Sequence, residues 1–71
     1  MTKLPSVTAD RLLAVLLRQG FSVVRQSGSH AVVRHGDGRW TTVPMHKSRD
    51  LAKGTLRQIM RDTGVTVDDL S

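Results

Sequence analysis

"FSVVRQSGSHAVVRHGDGRWTTVP", residues 21–44, decides the fold. It holds three short segments rich in β-branched and aromatic residues: "FSVVRQ" (21–26), "HAVVRH" (30–35) and "RWTTVP" (39–44). Such segments read as strands. Between them stand "SGS" and "GDG", small and polar residues that tolerate the positive φ of tight turns. Short turns between consecutive strands give an antiparallel meander. Pro44 lacks a backbone N–H, so it stops the third strand or marks it as an edge.

Outward from this core, Ser6 and Thr8 are both candidate helix N-caps. The segment behind them carries apolar residues at 12, 13, 16 and 17, one face of a helix over about 9–19. Gly20 supplies the left-handed residue that ends helices. After the strands, "MHKSRDLAKG" is a polar loop. "GTLRQIMRDTG" has apolar residues at 56, 59 and 60, a second helical face ended by Gly64. The tail "VTVDDLS" starts a last turn capped by Thr66. The order is α-β-β-β-α, an α+β fold in which both helices cover one face of a three-stranded antiparallel sheet to bury their leucines. The opposite face is left to water or a ligand.

Seventy-one residues make one small domain, 1–71, with no repeat or low-complexity segment. A chain of this size buries only about 60% of its unfolded surface, so its stability is marginal. With no cysteine, neither disulfides nor thiolate metal sites are available. No hydrophobic run approaches the ~20 residues of a membrane span. The N-terminus has no apolar signal-like region, and a cytoplasmic, reduced setting fits. The net charge is +5, unevenly distributed: residues 25–61 hold eight Lys/Arg against two Asp, a local +6, and residues 62–71 hold three Asp and no base. A basic middle on a small domain points to a polyanion partner, above all nucleic acid.

Strand parity sorts the histidines. His30, Val32 and Arg34 share one face of the second strand, and Ala31, Val33 and His35 the other. His30 and His35 therefore point apart and make a poor metal pair, and the chain has no Glu to complete a site. No metal or other cofactor is expected. His30 follows the small turn Ser27-Gly28-Ser29, which lets a substrate backbone approach closely. Imidazole is the side chain suited to proton transfer near neutral pH. The bland alternative is that His30 fills a half-exposed strand position. His46, beside Lys47 on the loop after the third strand, is a second acid/base group, a phosphate donor or a loop-stabilising hydrogen-bonder. Lys53, Arg57 and Arg61, at i, i+4 and i+8, form a basic stripe on the second helix, suited to tracking phosphates or else an ordinary solvated face. Gly54 and Thr55 offer backbone N–H groups to an anion near that helix's start. Phe21 and Trp40 are the only aromatics, too few for a stacking platform. Both are read as packing residues, with a rim role the lesser reading for Trp40.

Four segments together resemble the HicA toxin family, the ribonuclease halves of HicA–HicB toxin–antitoxin pairs: "GF" at 20–21, "RQSGSH" at 25–30, "TVPMH" at 42–46 and "GTLRQI" at 54–59. They occur in the family's order and spacing. The resemblance implies a fold like that of double-stranded-RNA-binding domains. It also implies a metal-independent, mRNA-cleaving endoribonuclease silenced by a cognate HicB antitoxin. The family's essential histidine follows Gly-Ser, which falls here on His30; its second histidine position falls on His46. The tail after Gly64 is shorter than in many relatives. Arg25, Ser29, Arg39, Lys47, Lys53, Arg57 and Arg61 are the candidate RNA-binding residues. Two other classes remain open: a non-catalytic double-stranded-RNA-binding module, and an interaction protein whose basic face binds an acidic partner.

Overall fold

A computed structural model describes residues 4–46 and 49–71. The elements are α1 (Ala9–Arg18), β1 (Phe21–Ser27), β2 (His30–His35), β3 (Trp40–Pro44), α2 (Lys53–Thr63) and a 3-10 turn (Asp68–Leu70). The expected α-β-β-β-α order is observed, and the three strands form one antiparallel sheet in the order β1-β2-β3.

Of the two candidate caps, Thr8 starts α1: its Oγ1 accepts the Arg11 N–H at 3.2 Å. The helix ends before Gly20, which holds φ +98°. Glycine fits here because side chains rarely adopt this φ and a Cβ would lie 3.0 Å from His35 Nε2. The second helix begins at Lys53, where Ala52 provides no side-chain cap. It ends at Gly64, at φ +79°, whose N–H donates to the Met60 carbonyl at 2.8 Å. Thr66 does cap the final turn. Its N–H and hydroxyl both donate to Asp69 Oδ2, at 2.8 and 3.0 Å, and its Oγ1 accepts the Asp69 N–H. The Thr66 N–H, first, and then the polar groups around it hold the Asp69 carboxyl below the usual carboxylate range.

Alternation along the strands separates the sheet's faces. Ala31, Val33, Thr41 and Val43 are buried on the helix-covered face, and Val33 and Val43 join Leu12, Leu16, Leu56 and Ile59 in the core. Leu12, Leu16 and Leu56 are fully buried, and truncating one leaves a cavity that costs about 2–5 kcal/mol. Thr41, the buried polar residue of β3, donates to Asp62 of α2 at 2.9 Å. The β1–β2 register shifts between Val23 and Arg25, so Val24 is the extra residue of a β-bulge.

Two cations read as RNA-binding candidates are occupied by the fold. The Lys53 ammonium donates to the carbonyls of Leu4 (3.1 Å) and Pro5 (2.9 Å) and approaches Ser6 Oγ, fastening the segment before α1. A backbone bond from Leu51 to Val7 and a bridge between Thr8 and Asp50 hold the same seam. The Arg39 guanidinium donates to Asp37 at 2.8 Å and to the Thr63 carbonyl at the end of α2, and lies 5.2 Å from the Phe21 ring centre. Its positive charge satisfies a helix C-terminus.

Candidate active site

His30 is the first residue of β2 and is exposed. Its placement follows from the turn before it. Ser27 pairs with His30, leaving Gly28 and Ser29 as a two-residue hairpin loop with Gly28 at φ +55°. A positive φ at the first loop position matches the right-handed twist of the flanking strands. A Cβ on Gly28 would meet nothing within 4 Å, so the space beside the turn is open. The imidazole stands on the uncovered face of the sheet, the face of Val32, Arg34, Trp40 and Thr42.

The third strand brings the second histidine to the same end. His30 pairs with Pro44, and the Met45 N–H donates to the Ser29 carbonyl, extending the ladder one step past β3. Met45 packs against the core, and His46 follows it, exposed. His46 lines a cleft with Pro44, Arg49, Asp50 and Thr55 at the start of α2. Ser29, His30 and His46 are thus gathered at one end of the sheet. Arg25, opposite Val32 on β1, is exposed beside them. Lys47 lies outside the described residues.

The basic stripe does not join this group. Arg57 and Arg61 are exposed on α2, in the helical layer that covers the other face of the sheet. With Lys53 fastened to the N-terminal segment, the stripe reduces to two exposed arginines.

His35 has a packing role. Its ring meets Phe21 edge-on at 5.1 Å, and its Nδ1 accepts the Asp37 N–H at 3.1 Å. Among the described residues, no three His, Asp or Glu side chains converge into a group able to hold a metal ion. No described helix is long and apolar enough to cross a membrane.

The expectation that Trp40 packs into the protein is overturned, while Phe21 is buried as expected. Trp40 is 59% exposed, on the face opposite Thr41 and Val43. Its parity with Thr42 and Pro44 carried that signal in the sequence. Arg34 and Arg49 are also exposed beside the histidine-bearing segments, and nothing local in the sequence distinguishes them from other surface arginines.

The fold and site define a class: a small α-β-β-β-α protein that presents a histidine from a glycine turn on the open face of a three-stranded sheet. A family model described as "HicA toxin of bacterial toxin-antitoxin" matches residues 9–65, and the chain belongs to this HicA toxin family. No curated protein matches the chain.

Proposed function

We propose that this HicA toxin is a metal-independent endoribonuclease that cleaves mRNA, with His30 as general base. The observation that carries this reading is the exposed His30 imidazole at an open glycine turn, on strands that contain arginine and no carboxylate. In the proposed step the imidazole takes the proton of an RNA 2′-hydroxyl. The 2′-oxygen attacks the adjacent phosphorus, the P–O5′ bond breaks, and the departing 5′-oxygen takes a proton from His46 or water. The products are a 2′,3′-cyclic phosphate and a 5′-hydroxyl. Arg25 and Lys47, with backbone N–H groups near the turn, stabilise the charge that develops on the phosphoryl oxygens. Ser29 supports the approach of the RNA backbone.

A HicB-like antitoxin is the proposed partner, and cytoplasmic mRNA the substrate. The positive middle of the chain favours an antitoxin with an acidic surface that covers the site. Expression of the unpartnered protein then arrests growth, and co-expression of the antitoxin restores it.

The deciding experiment is RNA cleavage by His30→Ala. A well-placed general base contributes about 10²- to 10⁴-fold, so the variant loses at least that much rate while its circular dichroism stays native. EDTA leaves the wild type unaffected. Full activity in a folded His30→Ala protein, or EDTA inhibition reversed by Mg²⁺, refutes the mechanism. A folded wild type that binds duplex RNA and cuts none favours the double-stranded-RNA-binding module.

A further inference from the structure

The uncovered sheet face carries more than His30. Trp40, the sole tryptophan, is 59% exposed, and so is Val24, the bulge residue. With Val32, Arg34 and Gly38 they line one shallow concavity. Arg34 pairs directly across from Trp40, and Arg25 stands opposite Val32, toward His30. An apolar floor, one large aromatic side chain and flanking guanidinium groups are the components with which proteins hold unpaired bases. The ring stacks the base, and the cations follow the backbone. An exposed indole on a face rich in arginine has no packing function to explain it.

From these features we infer that the open sheet face binds single-stranded RNA, with one unpaired base stacked on Trp40. This rests on the RNA-cleaving reading and deepens it, naming the strandedness of the substrate and a specificity residue. The geometry also separates stacking from cleavage. Trp40 faces Arg34, four residues along β2 from His30, or about 13 Å at roughly 3.3 Å per residue. The stacked base is therefore displaced from the scissile phosphate. Trp40 is a positioning residue that fixes where along the strand His30 acts. A paired base keeps its faces inside the helix and cannot stack there, so duplex RNA is excluded from this mode.

The test uses the wild-type protein and a 2′-O-methyl RNA oligomer, which has no free 2′-hydroxyl and stays uncut. Because Trp40 is the only tryptophan, its emission reports on this face alone. The single-stranded oligomer quenches it saturably, and the same oligomer annealed to its complement does not. Trp40→Leu, which keeps apolar bulk but no ring, weakens binding about tenfold, and Trp40→Phe retains most of the affinity. In cleavage of ordinary RNA, Trp40→Leu raises the concentration for half-maximal rate by the same factor and leaves the single-turnover rate at saturation unchanged. The inference is overturned if the wild type cleaves RNA while Trp40 emission is unmoved, or if duplex quenches as well as single strand. Emission that changes with protein concentration in the absence of RNA also overturns it and assigns the face to a second copy of the chain. If the wild type neither binds nor cleaves RNA, the catalytic reading falls and this inference falls with it. That outcome is distinct from intact cleavage indifferent to Trp40.

Discussion

The two faces of the sheet are built from the same strands and share almost nothing else. Beneath the helices lie Ala31, Val33, Thr41 and Val43, with little or no solvent contact. One residue along in each case, on the other side, stand His30, Val32, Arg34, Trp40 and Thr42. The first set is fixed by volume and by leucines packed from both helices. The second is held only by the strand ladder, so its side chains are chosen by what they meet from outside. Alternation with period two keeps the demands of stability and of recognition on separate residues.

The sharpest way to break that comparison is to cross the two properties. Leu16→Ala, beneath the sheet, is expected to destabilise the fold by about 2–5 kcal/mol. At equal folded concentration it retains cleavage. His30→Ala, above the sheet, loses cleavage and keeps its melting temperature. Thermal denaturation paired with single-turnover cleavage checks both. A large stability loss in His30→Ala would mean the open face also holds the fold together.

A smaller effect divides the cations of α2. Replacing Arg57 and Arg61 with Gln is expected to leave the salt dependence of RNA binding unchanged, because both stand on the layer opposite the open face, whereas each phosphate they did neutralise would flatten the log–log slope by roughly 0.7 to 0.9. Lys53→Met, which removes the bonds to Leu4 and Pro5, lowers stability and leaves the slope alone. Binding at several salt concentrations, with thermal melts, makes the distinction. A flattened slope in the double Gln variant would bring the helical layer into the RNA interface and break the division between the two faces.

The smallest effect concerns the β2–β3 hairpin. The Arg39 N–H, followed by the Arg39 guanidinium, holds the Asp37 carboxyl below the usual carboxylate range. A depressed native pKa contributes stability above the unfolded value near 3.9 and loses it as pH falls through the native one. Melting temperatures between pH 5 and pH 2 are therefore expected to fall more for the wild type than for Asp37→Asn. Equal slopes would show that the carboxylate adds nothing to the hairpin.

Most of the architecture was legible because its signals are local. Two small-residue turns, two glycine helix stops and a period-two pattern lie within a few residues of what they determine. The position of His30 followed from the same rules. The employment of Arg39 and Lys53 did not, because it depends on distant chain. Arg39 reaches Thr63, and Lys53 reaches Leu4, across 24 and 49 residues. A basic residue that fastens a carbonyl looks the same in sequence as one that waits for a phosphate. The bulge at Val24 was equally hidden, since nothing in "SVVRQ" distinguishes a regular ladder from one with an extra residue.

That extra residue also bears on how the protein behaves in a crowded solution. A small sheet has two open margins, and each is a template on which another extended chain can add, the first step toward fibrous aggregates. At the β1 margin the bulge interrupts the regular spacing of backbone donors and acceptors and increases local twist, so an incoming strand cannot continue the pattern in register. At the β3 margin the strand is five residues long and ends in Pro44, which has no donor to offer. A protein with exposed Val23, Val24 and Trp40 around its sheet thus carries its own protection against self-templating.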